Sequence, residues 1–113
     1  MANTFVNKKA DLTSTSATTL YTVPSATTAV IKSIIISEDS GNADTITVTI
    51  TDTDDAVFSL FKTKAISANA TTELLSQPLV VEESEIDKVT AAAANSLHVV
   101  LSALEIKPRE VTT

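Results

Sequence analysis

Residues 45–51 read TITVTIT, and this run constrains the fold more than any other part of the chain. Ile46, Val48 and Ile50 fall on one side of an extended backbone, and four threonines fall on the other. A helix would spread these apolar residues around its circumference, whereas a strand repeats every second residue. The alternation therefore predicts a strand in a sheet whose second face is wet or only partly covered.

The neighbouring segments extend that reading. Residues 29–37 (AVIKSIIIS) are β-branched and apolar on both faces, which predicts a strand buried on both sides. Between the two runs lies EDSGNA, residues 38–43, a turn that contains the only glycine of the chain, Gly41. Every other turn must therefore be built with Asn, Asp, Ser or Pro. Shorter strands are expected at 4–7, 20–23, 56–62, 73–76, 79–81 and 86–90, with a long closing strand at 96–106. Pro24, DTDD at 52–55 and the acidic residues 82–85 punctuate them. The alanine run at 91–94 is too short to hold a helix in water.

Seven or eight strands at this spacing predict an all-β fold, an antiparallel β-sandwich or jelly roll with an extended N-terminal arm. A chain of 113 residues supports one domain. Residues 1–18, polar and rich in Ser and Thr, are expected to form the arm, 19–107 the β-sandwich domain, and 108–113 a C-terminal tail. Aromatic residues make up 4% of the chain against 43% hydrophobic, so Val, Ile, Leu and Ala must build the core.

The formal net charge of −6 points away from nucleic acid and anionic membranes, both of which reward clustered Lys and Arg. There is no cysteine, hence no disulfide frame and no thiolate chemistry. The N-terminal residues lack the apolar run of a signal peptide, and no stretch reaches the length of a membrane span. Synthesis in the cytoplasm without export is the expectation.

Few residues suggest chemistry. His98 is the single histidine and falls inside the last expected strand, with no cysteine or second histidine to complete a transition-metal site. Asp52, Asp54 and Asp55 offer three carboxylates in four residues, the hard oxygens that calcium prefers. They lack the glycine and distant glutamate of an EF-hand, and Asp is frequent in hairpin turns. Glu82, Glu83, Glu85 and Asp87 form an acidic cluster that reads as a solvated surface facing a basic partner. A carboxylate pair for sugar hydrolysis needs an aromatic-lined groove, and the chain has no tryptophan and one tyrosine, Tyr21. No nucleophile elbow or glycine-rich phosphate loop occurs. The triplet Asn69-Ala70-Thr71 matches a glycosylation sequon without an accompanying secretion signal. Phe58 and Phe61 are expected on opposite faces of their strand. No catalytic residue, cofactor or resident metal is expected.

Residues 20–50, LYTVPSATTAVIKSIIISEDSGNADTITVTI, resemble a segment of small virion structural proteins of tailed bacteriophages, including those of marine and cyanobacterial phages. The shared features are the opening LYTVP, a small-residue turn, an apolar strand carrying Lys32, a Gly/Asn turn and a Thr-alternating strand. The ending HVVLSALEI, residues 98–106, looks like the closing strand of the same kind of domain. The resemblance implies a β-sandwich displayed on a virion, without enzymatic activity. A capsid decoration or cement protein is the first expectation, with the major capsid protein or other virion proteins as partners and homo-oligomers on the capsid surface. A neck, tail-completion or fibre-base protein is the alternative, and a carbohydrate-binding or adhesion module is a third, from another class. The residues expected to contact neighbours are Asn3, Thr4, Phe5, Val6, Asn7, Lys8 and Lys9, with the two lysines set toward acidic groups.

Overall fold

The computed structural model describes residues 2–107. Nine strands and no helix occur among them: β1 (Ala2–Asp11), β2 (Thr18–Thr22), β3 (Thr28–Glu38), β4 (Asp44–Thr51), β5 (Val57–Ile66), β6 (Thr71–Glu73), β7 (Leu79–Val81), β8 (Ile86–Ala91) and β9 (Leu97–Lys107). The expected tail at 108–113 lies outside the described residues.

Two antiparallel sheets form. One is five-stranded, in the order β1-β9-β3-β6 with β7 also on β3, and the other is four-stranded, β2-β8-β4-β5. β6 and β7 lie end to end on the same edge of β3, opposite 35–37 and 29–31 respectively, and so act as one interrupted strand. Counted that way, the strands run first–eighth–third–sixth in one sheet and second–seventh–fourth–fifth in the other. This is the order of a jelly roll, the antiparallel sandwich made by two Greek keys.

The core lies between the sheets and is aliphatic, as the shortage of aromatics requires. Ile31, Ile34 and Ile36 of β3 meet Leu101, Val99 and Ala103 of β9 within one sheet, and Ile46 and Val48 of β4 face them from the other. Tyr21 is the only aromatic ring in the buried core.

The N-terminal segment is extended, as expected, but it is not a free arm. Residues 2–11 pair with β9 without a break, so they form the edge strand of the five-stranded sheet. Val6 and Ala10 pack against the core, and Leu12 just beyond is buried. β3 also differs from expectation. Its inner face is sealed, but Val30 and Ile35 on the outer face are only half-buried. A bulge at Lys32 shifts its register against β9.

Phe58 and Phe61 do not take opposite faces. Irregular pairing between β4 and β5 sets them opposite Ile50 and Val48, both of which face the core. Phe61 packs there, while Phe58, nearer the start of the edge strand, stays 55% exposed.

A chain with one glycine must bend elsewhere. Gly41 takes φ +85° in the β3–β4 turn, and Ala26, Asp55, Thr63, Asn69, Ser84 and Asn95 also adopt positive φ. Asn and Asp tolerate this region, but Ala and Thr are strained there because Cβ crowds the carbonyl. Replacing Ala26, at φ 53° in the exposed β2–β3 loop, with glycine relieves that strain. Ala26→Gly should raise unfolding free energy by about 0.5–1 kcal/mol, after discounting glycine's greater entropy loss. Urea denaturation checks this, and a lower midpoint for the variant would show that the loop is not strained.

Candidate functional site

Strand register decides which side chains leave the sandwich. In an antiparallel pair, residues directly opposite point to the same side. Val6, Lys8 and Ala10 of β1 lie opposite Ala103, Leu101 and Val99, which are buried, so they face inward. Asn3, Phe5, Asn7 and Lys9 therefore face outward, with Ile106, Leu104, Ser102 and Val100 beside them on β9. Of the seven residues expected to touch neighbours, four stand on the outer face, while Thr4, Val6 and Lys8 point into the sandwich edge.

The outer face of the five-stranded sheet is ordered in rows across the strands. Phe5 lies opposite Leu104, Leu104 opposite Val30, and Val30 opposite Val80. Four strands thus contribute one continuous apolar row. Its two ends are open to water: Phe5 is 76% exposed and Val80 60%. Two residues along lies a small polar row, Asn7, Ser102 and Ser33. The next row runs Lys9, Val100, Ile35 and Glu73, apolar at the centre with opposite charges at its two edges. Scattered apolar residues are normal on a surface, but a contiguous apolar row rimmed by polar groups marks a contact site.

A second apolar feature lies along the side of the sandwich where β5 meets the β6–β7 connection. A groove of about 360 Å³ is lined by Leu60, Phe61, Leu74, Leu75, Pro78 and Leu79. Val57 and Phe58 are exposed on the same edge strand, β5.

Three buried acids are accounted for by their partners. Glu38 accepts hydrogen bonds from the Ser40 hydroxyl, from the Ser40 and Gly41 amides at 2.8 and 3.1 Å, and from the Asn69 amide at 2.9 Å. Those bonds, the Ser40 hydroxyl foremost, pull its carboxyl down to about 2. One side chain thus ties the β3–β4 turn to the β5–β6 loop. Asp44 accepts from the Thr45 amide at 2.7 Å and the Ala93 amide at 3.1 Å, fastening the β8–β9 connection. Glu105 accepts from the Tyr21 hydroxyl at 2.5 Å, and burial holds that phenol above its ordinary range. The Lys8 ammonium stands 5.9 Å from the centre of the same ring.

Asp87 is different. It is 0% exposed, and neither carboxyl oxygen has a hydrogen-bond partner. It faces the core opposite Ile50 of β4 and Tyr21 of β2. Desolvation raises its carboxyl from 3.8 to about 7. Sequence reasoning placed Asp87 in a solvated acidic cluster, and the structure divides that cluster. Glu82 and Glu83 are exposed, Glu85 accepts the Glu82 amide at 2.7 Å across the turn, and Asp87 lies inside. The signal was available, because Asp87, Val89 and Ala91 share one parity in β8 and all three are buried. A carboxyl poised near neutrality would suit acid–base work, but this one is closed off from any substrate.

The remaining candidates are held by local structure. Asp52 spends one oxygen on the Asp54 and Ala56 amides, both at 2.9 Å, as in an Asx turn. No group of three or more acidic or histidine side chains converges as a metal-binding set among the described residues, so Asp52, Asp54 and Asp55 are not brought together as ligands. His98 lies on the outer face between Asp11 and Asp39, its nitrogens 3.2 and 3.4 Å from their carboxylates.

Comparison with protein families, curated proteins and solved structures gives no significant match.

The buried Asp87 carboxyl makes stability depend on pH. The folded chain keeps the proton until about pH 7, while the unfolded chain releases it near the ordinary value of 3.8. Stability is therefore highest below the lower value and falls as pH rises through that window, flattening above it. Three units correspond to about 4 kcal/mol, an order-of-magnitude figure. Asp87→Asn should unfold at higher urea than the parent at about pH 8, with the advantage shrinking toward about pH 4. An equal offset at both pH values would show that folding does not raise the Asp87 carboxyl above its ordinary value.

Proposed function

We propose that this chain is a structural virion protein of a tailed bacteriophage, a capsid decoration or cement protein that stabilises the head by protein–protein contacts and performs no catalysis. One observation carries the reading: the apolar row of Phe5, Leu104, Val30 and Val80 across the outer face of a jelly roll. Jelly rolls are a common architecture of viral capsid domains. Fold alone does not assign function, however, and lectins and cupins share the architecture. What singles out this row is its place: it is spread across a sheet face, a shape that suits another protein surface rather than a small molecule, whereas the groove beside β5 is a separate feature.

The resemblance of residues 20–50 and 98–106 to phage virion proteins supports the same reading. On it, the partner is the major capsid protein or another virion protein, and the place is the capsid surface. The carbohydrate-binding alternative loses its one tyrosine platform, since Tyr21 is buried. The acidic chain, at −6, would be steered toward a basic capsid exterior.

Because β1 is an edge strand that carries Val6 and Ala10 against the core, deleting it would damage the fold and could not test attachment alone. Point substitutions on the outer face can. In gradient-purified particles, quantitative mass spectrometry should find the protein in some hundreds of copies, as repeated symmetric placement on a capsid requires. Phe5→Ser should lower occupancy severalfold while far-ultraviolet circular dichroism stays unchanged. About a dozen copies per particle would move the protein to the neck or tail, and absence from particles would end the virion reading.

A further inference from the structure

We propose that the outer face of the five-stranded sheet binds a second copy of this chain, face to face across a twofold axis that runs along the strands. The inference deepens the reading above by naming the partner at that face, and it rests on that reading only in treating the face as a contact surface.

β3 provides the first argument. Two of its outward residues, Val30 and Ile35, are apolar, set among Thr28, Ser33 and Ser37 on the same face. Within the single chain the inner side is fully covered, while Val30 and Ile35 on the other are only half-buried. Those two side chains, in line with Leu104 and Val100 of β9, are the apolar part of the face that a second layer would cover.

Charge provides the second. A twofold along the strands leaves each row at its own height and exchanges the β1 edge with the β6–β7 edge. The apolar row then stacks on itself, with Phe5 over Val80 of the second copy. In the other mixed row Lys9 comes over Glu73 and Glu73 over Lys9, so two opposite charges meet twice. Such self-complementarity is what an isologous contact demands. An axis across the strands would instead set the β1 edges together, lysine toward lysine.

Size provides the third. Four strands about 4.8 Å apart and roughly nine residues long give a face of about 20 by 30 Å, or about 600 Å² per copy. Two copies bury about 1,200 Å², the lower bound for a specific interface. The dimer should therefore form, and should dissociate on dilution. Addition through the β1 edge is opposed, because the inward-pointing Lys8 would be carried into the seam.

The test is sedimentation velocity of the full chain from micromolar to near-millimolar concentration. The parent should pass from monomer to dimer and no further. Phe5→Ser, at a residue 76% exposed, should weaken the dimer by roughly tenfold or more. Lys9→Glu should weaken it, and adding Glu73→Lys to that variant should restore it, with thermal melts recorded because Glu73 also accepts the Ile34 amide. If Glu73→Lys unfolds the chain, loss of dimer in Lys9→Glu and its return at high salt decide the point. A parent that stays monomeric throughout, or a dimer unaffected by Phe5→Ser, overturns the proposal. A monomeric parent whose Phe5→Ser variant still loses particle occupancy would place another virion protein on the face, withdrawing the self-contact while leaving the virion reading in place.

Discussion

The ladder between β3 and β9 is the constraint on which the rest of the structure depends. Residues 28–38 pair with 97–106, broken only by the bulge at Lys32. Every other strand of that sheet attaches to one of these two: β1 to β9, and both β6 and β7 to β3. Their inward residues, from Ile31 to Ile36 and from Leu97 to Ala103, are at most 1% exposed. The ladder joins positions 59 to 78 residues apart, from Glu38–Leu97 to Thr28–Ile106, so it cannot form until nearly the whole chain is available. Non-local pairing of this kind slows folding, because loop-closure entropy is lost before the contacts form.

The acidity of the chain has a structural cause beyond any partner. With a single glycine, the turns take their shape from carboxylates that accept backbone amides. Glu38 organises the β3–β4 turn and reaches across to Asn69, Asp52 closes the β4–β5 turn, Glu85 closes the β7–β8 turn, and Asp44 fixes the connection after β8. A carboxylate offers two acceptor oxygens with several lone pairs, so one side chain can satisfy three amides at once. Asp87 breaks this pattern: neither of its oxygens has a hydrogen-bond partner, and burial raises its carboxyl. The structure gives no compensating contact for it.

Where the sequence carried a period, the fold was legible. The alternation at 45–51, the apolar run at 29–37, the Gly41 turn and the closing strand all correspond to observed elements within a residue or two. What escaped depended on distance or on broken period. β1 looked like an arm because its inward positions include Lys8 and small Ala10, and its one large aromatic, Phe5, faces out. Only pairing with β9, nearly a hundred residues away, reveals it as a strand. The faces of Phe58 and Phe61 were misassigned because an irregularity in pairing resets parity, and no residue type announces it. The candidate contact surface was half legible. Residues 29–37 read as apolar on both sides, but the bulge at Lys32 sets Ser33 and Ser37 outward beside Val30 and Ile35, so the outer side is mixed.

The open outer face bears on how the protein avoids associating at random. A sandwich has open strand edges as well as faces, and edges recruit strands from any chain with little regard for side chains. Here the β1 edge runs unbroken along 2–11, a long edge open to such pairing. Lys8 points inward at that edge and keeps its ammonium over the Tyr21 ring, so a strand added alongside would bury a charge with no new partner. The outer face carries no such obstacle in its central row. Its discrimination comes from the flanking pair Lys9 and Glu73, which rewards a surface bearing the reverse order of charge and penalises others. Edge and face are thus treated in opposite ways by adjacent residues, Lys8 at the edge and Lys9 on the face. Association is discouraged where it would be promiscuous and left open where side chains can choose the partner.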